Sequence, residues 1–394
     1  MMKPTLRYQL VFEGAWPMAV TFLETPRRVA AGNQLGQIFV WDLPDSPSEE
    51  PAGGKANKKR EAPNVAPSRR LDGHTNAISR LAFDREHQRL VSASFDHSIR
   101  VWSLDGEPAG QAEAVLDGDP RKEEAKKTRK DDALNQPGVN VSTFLAKKIL
   151  EEHPDWVHSL ALSRDGQRAV SGDASANVIV WDLEAGKPLA KWKGHAWNWI
   201  VATAFAPNGE SVLVSEFRYK RDDFDIPCAG FKLWGVDGTE KLDILKTQFP
   251  KLNPNDNSYG GGQVWRGWTK DGLVAVAFSP DGKLIAAGQG GETETGKVHL
   301  LDAETGKFVR DVSGHQYGIT DVAFFSDGQR LATAGRDTCI RIIQVEDGKE
   351  LAVMGTPRGG QFKDWISSIS ISADEKWIAG ADISGHVAIW QIAE

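Results

Sequence analysis

The segment from Gly291 to Val298 comes closest to a known ligand-binding motif in this sequence. Gly291, Gly296 and Lys297 have the spacing of a phosphate-binding P-loop, in which backbone N–H groups surround the phosphates and the lysine binds them. Val298 stands where that motif needs a Ser or Thr to bind magnesium, and the segment lies between two predicted strands. Since no helix N-terminus follows, we predict a hairpin loop here and no nucleotide site.

Other catalytic and metal-binding patterns are absent from the sequence. It has no HExxH segment and no GxSxG segment, and its nine histidines are scattered. His153 and His158 have a spacing that points two side chains of an extended segment to opposite faces. Cys228 and Cys339 lack the CxxC spacing typical of zinc and redox sites. We therefore expect no catalytic residues, no bound metal and no cofactor.

Composition and charge narrow the class of protein. Hydrophobic residues make up 40% and charged residues 26% of the 394 residues, as in an ordinary globular protein. The formal net charge of −7 provides no basic field for nucleic-acid phosphates, so no nucleic-acid partner is expected. No stretch approaches the roughly 18 apolar residues of a spanning helix, and the first residues lack the apolar core of a secretory signal. We expect a cytoplasmic protein without membrane insertion.

The organisation of the chain follows from an internal repeat with seven copies. Each copy has an alternating apolar segment, a tight turn, a second segment rich in small residues and a third segment ending in Trp or another apolar residue. The first segments begin at Trp16, Ala77, Trp156, Trp199, Gly272, Gly318 and Trp365, and the third segments end at Trp41, Trp102, Trp181, Trp234, Leu301, Ile343 and Trp390. After four first segments come dipeptides that favour the positive φ angles of hairpin turns: Asp165-Gly166, Asn208-Gly209, Asp281-Gly282 and Asp327-Gly328.

This repeat resembles that of the WD40 family, whose members are β-propellers with blades of four antiparallel strands. The Trp-Asp dipeptide that names the family is present at Trp41-Asp42 and Trp181-Asp182. The resemblance covers nearly the whole chain. It implies an all-β, seven-bladed propeller whose blades surround a central channel.

In that family a His, a Ser or Thr, an Asp and the Trp form a buried hydrogen-bonded set within a blade. The second copy has the whole structural tetrad, His74, Ser92, Asp96 and Trp102. The sixth copy ends in Ile343 but has the other three members, His315, Thr333 and Asp337. The third copy has His153, Ser171 and Trp181, with Ser175 at the Asp position.

The seventh copy ends in a third strand at Trp390, with no fourth strand after it. The N-terminal segment can supply that strand, because apolar Leu6, Tyr8, Leu10 and Phe12 alternate with other residues at a period of two. We predict that residues 5–12 form the outer strand of the last blade and close the ring.

We expect a single domain, 1–394, interrupted by loops. The repeats occupy about residues 13–44, 71–104, 151–184, 192–237, 268–304, 312–346 and 361–393. Uneven spacing between them marks insertions at about residues 45–68, 106–142, 216–229 and 248–267. The first two are rich in charged and loop-forming residues and are predicted to be solvated loops, whereas the last two contain aromatic residues, which are more typical of an interface.

Four copies place a tryptophan in one column, directly before the first strand: Trp16, Trp156, Trp199 and Trp365. In the WD40 family this column lies at the rim of the channel, on the face most used for binding. The same neighbourhood in sequence holds Trp197, Trp268 and Tyr317, with Arg80, Arg218, Lys220 and Arg336 as charged neighbours. Because Trp and Tyr are enriched at binding hot spots, one hypothesis is that these residues bind a partner. The alternative, equally open, is that the tryptophans pack over the neighbouring blade.

Three functions remain open at this stage. A non-enzymatic scaffold for protein or peptide partners is favoured, because no catalytic set is present and rigid blades present loops to partners. A propeller enzyme or small-ligand binder using the central channel would need carboxylates, His or Asn that converge there. A permanent subunit of a larger complex differs from the scaffold only in the lifetime of its contacts.

Overall fold

The computed structural model describes residues 3–12, 15–24, 27–44, 65–104, 142–196, 198–217, 230–250, 268–269, 272–291, 296–357 and 365–392. Within these ranges the strands form seven separate sheets, which are the blades. One short helix, α1 (Ile244–Gln248), follows the outer strand of blade 4, and the Asp243 side chain caps it by accepting a hydrogen bond from the Lys246 N–H. The all-β, seven-bladed fold predicted from the repeat is confirmed.

The strands are numbered along the chain, and β1 (Thr5–Val11) belongs to the last blade. Blade 1 has β2 (Pro17–Phe22), β3 (Arg28–Asn33), β4 (Ile38–Asp42) and β5 (Arg69–Asp72). Blade 2 has β6 (Ile78–Asp84), β7 (Arg89–Ser94), β8 (Ile99–Ser103) and β10 (Lys148–Leu150). Strand β9 (Ser142–Leu145) lies between β8 and β10 in sequence, but it pairs in parallel with β5 and makes blade 1 five-stranded.

Blades 3 to 5 follow in order. Blade 3 has β11 (Val157–Leu162), β12 (Arg168–Asp173), β13 (Asn177–Asp182) and β14 (Lys187–Lys193). Blade 4 has β15 (Trp199–Phe205), β16 (Ser211–Phe217), β17 (Gly230–Gly235) and β18 (Glu240–Asp243). Blade 5 has β19 (Leu273–Phe278), β20 (Leu284–Gln289), β21 (Gly296–Asp302) and β22 (Phe308–His315).

The last two blades complete the ring. Blade 6 has β23 (Ile319–Phe324), β24 (Arg330–Gly335), β25 (Ile340–Gln344) and β26 (Glu350–Met354). Blade 7 has β27 (Ile366–Ile371), β28 (Trp377–Asp382) and β29 (His386–Gln391), with β1 as its outer strand. The first strand of each blade contacts the first strand of the next, and β27 contacts β2.

The ring closes as the N-terminal alternation predicts. Strand β1 pairs antiparallel with β29, and Tyr8, Leu10 and Phe12 pack into the core shared by blades 7 and 1. The Tyr8 hydroxyl donates to the Pro44 carbonyl, 2.6 Å away, which ties the closing strand to blade 1. The outer edge of β29 is therefore covered rather than left open to other chains.

The hairpin turns also follow the sequence. Gly166, Gly209, Gly282 and Gly328 all have φ between 65° and 73°, the left-handed region that glycine adopts without a steric penalty. These turns connect the first and second strands of blades 3 to 6. The Asp-Gly and Asn-Gly dipeptides thus fix the turns as predicted.

Every first strand contains a register shift at its start. In each strand the pairing skips one residue near the start, as between Val157 and Ser159 of β11 and between Ile200 and Ala202 of β15. The skipped residues are Met18, Ser79, His158, Val201, Val274, Thr320 and Ser367. Such a bulge bends the strand and redirects a side chain, so simple alternation fails at these positions.

Side chains of one blade accept hydrogen bonds from backbone N–H groups on the innermost strand of the next blade. The Asp321 carboxylate of blade 6 accepts from the Ile369 N–H of blade 7 at 2.8 Å. The Ser370 hydroxyl of blade 7 in turn accepts from the Phe22 N–H of blade 1 at 3.0 Å. These bonds join neighbouring blades next to the channel.

The tetrad of blade 2 is complete. His74 Nε2 lies 2.7 Å from the Ser92 hydroxyl, which also accepts from the Trp102 indole N–H at 2.8 Å. His74 Nδ1 lies 2.8 Å from Asp96. Burial lowers the pKa of His74, and although burial acts to raise the pKa of Asp96, the neighbouring His74 brings it well below its usual range. Blade 6 repeats the arrangement without the indole, through His315, Thr333 and Asp337.

Blade 3 completes its tetrad with a residue that we did not expect. His153 Nδ1 lies 2.8 Å from Asp173, two residues before Ser175, the position at which the repeat places the Asp. Asp173 also accepts from the backbone and side chain of Asn177, while the Ser175 hydroxyl donates to Asp155. The carboxylate therefore reaches the same histidine from a shifted position.

Blades 1 and 4 are among those that keep the tryptophan without its serine partner. The indole nitrogens of Trp41 and Trp234 are buried and make no hydrogen bond within the described part of the chain. Ala31 and Val214 stand where blades 2 and 3 have a serine, as their pairing within β3 and β16 shows. Neither residue offers a side-chain acceptor, so these two indoles lack the hydrogen bond that the tetrad provides in blades 2 and 3.

Candidate functional site

The main chain fixes the position of the tryptophan column. We call Trp16, Ala77, Trp156, Trp199, Gly272, Gly318 and Trp365 the rim column. In six blades the carbonyl of the rim residue accepts from the N–H of the residue after the second strand, at 2.8–3.2 Å; the donors are Gln34, Phe95, Ala174, Gly290, Arg336 and Ile383. Because this bond uses only backbone atoms, Ala and Gly satisfy it as well as Trp does. The fold therefore does not require tryptophan here.

A continuous row of four rings crosses the rim from blade 2 to blade 4. The Trp156 ring stacks on Phe95, with centroids 5.3 Å apart and planes at 17°. Phe95 meets His158 edge to face at 4.9 Å, and His158 stacks on Trp199 at 5.1 Å. Trp156 stays 44% exposed at the end of this row. We refer to these four residues as the aromatic row.

The other side of the rim holds the remaining two column tryptophans. The Arg336 guanidinium of blade 6 lies over the Trp365 ring of blade 7, with its carbon 4.5 Å from the ring centroid. Trp16 of blade 1 is 51% exposed, among the most exposed large apolar side chains of the described residues. Arg336 and Phe95 occupy equivalent positions after the second strand, and each contacts the rim tryptophan of the following blade. Trp156, Trp199 and Trp365 thus each contact a side chain of the preceding blade, and Trp16 and Trp156 remain exposed.

Arg80 places a positive charge near His158 of the aromatic row. His158 is the bulged residue of β11, and its Nε2 atom is buried without a hydrogen-bond partner in the described structure. Burial and, to a smaller extent, the positive charge of Arg80 together lower the pKa of His158 to about 4. At neutral pH the imidazole is therefore uncharged, which suits its position between two aromatic rings.

Arg80 also acts on Asp321, in blade 6. Burial raises the pKa of Asp321, while Arg80 acts to lower it. The two side chains belong to the innermost strands β6 and β23, on different sides of the ring. The positive charge of Arg80 therefore acts to lower the pKa values of both His158 and Asp321.

Trp268 does not join the rim tryptophans. Its ring lies parallel to His299, with centroids 4.4 Å apart, and meets Phe249 edge to face at 6.0 Å. The Trp268 carbonyl accepts from Gln289 at 2.5 Å and lies 2.7 Å from His299 Nε2. His299 belongs to β21, the third strand of blade 5. The structure therefore places Trp268 against the body of blades 4 and 5.

Of the remaining residues that the sequence pointed to, only some are among the described residues. Tyr317 is partly buried and directly precedes Gly318 of the rim column. Trp197, Arg218 and Lys220 lie outside the described residues, as do most of the four insertions. In the P-loop-like segment a strand, β21, begins at Gly296 where a nucleotide site needs a helix.

Sequence reasoning missed Phe95 and gave His158 no part in the rim. Both contacts depend on how one blade lies on the next. The signal that could have found Phe95 is its place directly after the second strand, the same place that Arg336 has in blade 6. The described residues contain no group of three or more His, Cys, Asp or Glu side chains that could hold a metal.

No helix in the described ranges is long and apolar enough to cross a membrane.

The seven sheets and the aromatic row together define the class of protein: a seven-bladed β-propeller with an aromatic rim at one mouth of its channel.

Four segments of the chain are WD40 repeats by their match to the family model. The family model described as "WD domain, G-beta repeat" matches residues 66–103, 145–182, 262–300 and 306–344. Three of these matches begin in or just before the outer strand of one blade and continue through the inner three strands of the next, such as β5 followed by β6 to β8. The predicted resemblance is confirmed.

Several proteins are similar to part of the chain. Autophagy-related protein 16 of Arabidopsis thaliana is 25% identical over 60% of this chain, and the match spans only 39% of that protein. Guanine nucleotide-binding protein subunit beta of Oryza sativa subsp. japonica is 24% identical over 64% of this chain and 72% of its own length. Eukaryotic translation initiation factor 3 subunit I of Vanderwaltozyma polyspora is 22% identical over 71% of this chain and 65% of its own length.

Proposed function

We propose that this protein is a non-enzymatic scaffold that binds a protein or peptide partner at the rim of its channel. The observation that carries the proposal is the aromatic row Trp156–Phe95–His158–Trp199, which joins three blades and keeps Trp156 44% exposed. Such a surface combines rigid aromatic contact area with accessibility, the properties of a binding hot spot. On the other side of the rim, Trp16 and the Arg336–Trp365 pair extend it.

Two features support a binding role over simple packing. The rim backbone bond forms equally with Ala77, Gly272 and Gly318, so four tryptophans are not needed to build the rim. Exposed tryptophans also cost solubility, and contiguous apolar patches on a protein usually mark interaction sites. Two of the relatives are named as subunits, which means that they are parts of assemblies, and this agrees with a scaffold.

A cytoplasmic location and the absence of a nucleic-acid partner stay predictions.

A four-site variant tests the proposal. Trp16→Ala, Trp156→Ala, Trp199→Ala and Trp365→Ala remove the rim side chains and keep the backbone bonds. The matched control is Leu145→Ala with Leu189→Ala and Phe308→Ala, because these side chains are 47%, 57% and 44% exposed but lie on outer strands. Circular dichroism first establishes that both variants fold.

Affinity capture from native lysate identifies partners, and titration of each purified partner measures its Kd. We expect the rim variant to lose at least tenfold in affinity, since each rim tryptophan is a candidate hot spot, and the control to stay within about twofold. Equal binding by wild type and the rim variant would overturn the assignment of the rim. If neither recovers a protein, the alternative of a propeller enzyme or small-ligand binder in the channel gains support.

A further inference from the structure

Glu216 lies at a register position that contacts the loop leading into the rim. In each blade one residue of the second strand pairs with the residue that follows the rim column, and we call this the anchor position: Asn33, Ser94, Asp173, Glu216, Gln289, Gly335 and Asp382. In blades 2, 3 and 5 the side chain at the anchor position bonds the loop before the rim residue of its own blade, through Asn76, His153 and Trp268. The anchor residue thus contacts the chain where it enters the innermost strand.

Glu216 makes two hydrogen bonds to this loop in blade 4. Its Oε2 atom accepts from the His195 N–H at 2.7 Å and from the Asn198 side-chain amide at 3.2 Å. Asn198 directly precedes Trp199, and its own N–H donates to the His195 carbonyl at 3.2 Å. The carboxylate therefore closes the turn from which Trp199 enters β15.

The carboxylate of Glu216 is enclosed. Glu216 is 2% exposed, and Asn198 has no exposed surface. A Cβ atom on Gly194 would lie 2.5 Å from Glu216 Oε1, and one on Gly230 would lie 2.9 Å from the carboxylate carbon. Glycine at both positions thus leaves the space that the carboxylate occupies. Because a buried carboxylate is costly unless it is hydrogen-bonded, the two bonds stabilise Glu216 as well as the loop.

The contact between Glu216 and Asn198 also leaves one polar atom unsatisfied. The Asn198 amide turns its N–H towards the carboxylate, and its Oδ1 atom is buried without a hydrogen-bond partner in the described structure. A buried charge and a buried unpaired acceptor within one turn both lower stability. Departures of this kind from the most stable arrangement are typical of functional sites.

Acids occupy the anchor position where the rim carries a ring. Blades 3, 4 and 7 have tryptophan in the rim column, and their anchor residues are Asp173, Glu216 and Asp382. Blades 2, 5 and 6 have Ala or Gly in the rim column, and their anchor residues are Ser94, Gln289 and Gly335. Blade 1, with Trp16, has the amide Asn33. The charged anchor therefore accompanies the rim tryptophan rather than the fold of the blade.

Trp199 is the ring that the anchored turn of blade 4 presents to the aromatic row. It stacks on His158 with centroids 5.1 Å apart and planes at 16°, and the row continues through Phe95 to Trp156. The side chains of a binding surface need support from hydrogen bonds behind them, because a loosely held ring meets a partner in the wrong geometry. Behind Trp199, that support is the bond between Asn198 and Glu216.

We propose that Glu216 is a positioning residue for partner binding at the rim. Its carboxylate orients Asn198, Asn198 fixes the backbone from which Trp199 projects, and Trp199 is thereby held against His158. This role rests on the proposed function, because it belongs to the same binding surface. The effect of Glu216 on binding must then pass through Trp199.

Three substitutions separate positioning from stability. Glu216→Ala removes both bonds to the loop, and Asn198→Ala removes only the amide link, which keeps the test open if Glu216→Ala does not fold. Glu216→Gln keeps an oxygen acceptor and should retain the geometry. The matched control is Gln289→Ala, at the anchor position of blade 5, where the loop leads to Gly272, which has no side chain to direct. Circular dichroism first establishes which variants fold.

Fluorine NMR of the protein labelled with 5-fluorotryptophan reports on Trp199 without any ligand. Trp199→Phe identifies its resonance among the 14 tryptophans. We expect this resonance to shift or broaden in Glu216→Ala and in Asn198→Ala, and to keep its wild-type position in Glu216→Gln and in Gln289→Ala. An unchanged resonance in Glu216→Ala, or in Asn198→Ala if only that variant folds, overturns the proposal, and so does an equal shift in Gln289→Ala.

Peptide binding measures the consequence for the rim. Random twelve-residue peptides displayed on phage are selected on the full-length wild type and counter-selected on the rim variant, and those that Trp199→Ala weakens are titrated by fluorescence anisotropy. We expect Glu216→Ala to weaken their binding about fivefold or more. Glu216→Gln and Gln289→Ala should change it by less than about twofold, and Glu216→Ala should have no further effect when added to Trp199→Ala.

The two readouts distinguish failure of the positioning role from failure of rim binding. Rim-dependent peptides that are all indifferent to Trp199→Ala, or that bind Glu216→Ala as they bind the wild type, overturn the role of Glu216. Absence of any rim-dependent peptide contradicts the proposed function instead. The fluorine spectra then decide on their own whether Glu216 positions Trp199.

Discussion

Arg336 and Trp365 join blade 6 to blade 7 through a contact of guanidinium and ring, with the guanidinium carbon 4.5 Å from the ring centroid. Phe95 and Trp156 make the corresponding contact between blades 2 and 3, with ring centroids 5.3 Å apart. The residue after one blade's second strand thus contacts the rim tryptophan of the next. The proposed binding at the rim and the joining of blades therefore involve the same side chains.

A double-mutant cycle tests the Arg336–Trp365 contact. Arg336→Gln removes the cation and Trp365→Leu removes the ring, and we expect a coupling free energy of about 0.5–1 kcal/mol, as for a partly exposed cation–π pair. Urea unfolding of the wild type, the two single variants and the double variant supplies the four values. Arg336→Lys keeps the charge and should retain part of the coupling. Additive single effects would contradict a direct interaction.

Closure of the ring depends on β1, and Leu10 is its most buried side chain, with no exposed surface. Leu10→Ala should lower the free energy of unfolding by about 2–5 kcal/mol, because it leaves a cavity in the core between blades 7 and 1. The neighbouring Gln9 is partly exposed, so Gln9→Ala should change stability by no more than about 0.5 kcal/mol. Urea unfolding measures both. A Leu10→Ala protein as stable as the Gln9→Ala protein would show that β1 does not close the ring.

Most of the fold could be predicted because its signals are local. Alternation, the Asp-Gly and Asn-Gly turns and the apolar third strands each act within one hairpin, and the seven sheets follow from them. The N-terminal strand was predictable for the same reason. The parallel pairing of β9 with β5 was not, because it joins segments about 70 residues apart and depends on where the chain returns from an insertion.

The candidate site was less predictable, for reasons visible in particular residues. The rim column itself follows from the repeat, but Phe95 and His158 reach it through contacts between blades. His158 also lies at a bulge, where alternation does not tell which way a side chain points. Trp268 is near the column in sequence, yet its stack on His299 places it elsewhere.

The tetrad of blade 3 provides a third prediction. Asp173→Ala removes the acceptor of His153 and of the Asn177 amide, so we expect a loss of about 1–3 kcal/mol for each buried donor left unpaired. Ser175→Ala removes one partly buried bond to Asp155 and should cost about 0.5–1.5 kcal/mol. Urea unfolding of both variants compares the two positions. An equal or larger loss for Ser175→Ala would reinstate the position that the repeat pattern indicates.

The low pKa of His158 makes stability depend on pH. The folded value is about 4, against an ordinary value of 6.5 in the unfolded chain. Between these two values the unfolded chain binds more protons, so the free energy of unfolding falls as pH falls from 6.5 towards 4. Above pH 6.5 the contribution of His158 is fully present.

His158→Phe isolates that contribution from the other titrating groups. The ring keeps an aromatic contact between Phe95 and Trp199 and removes both the titration and the unpartnered Nε2 atom. Urea unfolding at pH 7.5 and at several values down to 4.5 should give a shallower pH dependence for this variant than for the wild type. The exposed His195 serves as the control, and His195→Asn should keep the wild-type slope. Parallel curves for His158→Phe and the wild type would mean that the folded protein accepts a proton at His158 as readily as the unfolded chain, which its position between two rings does not allow.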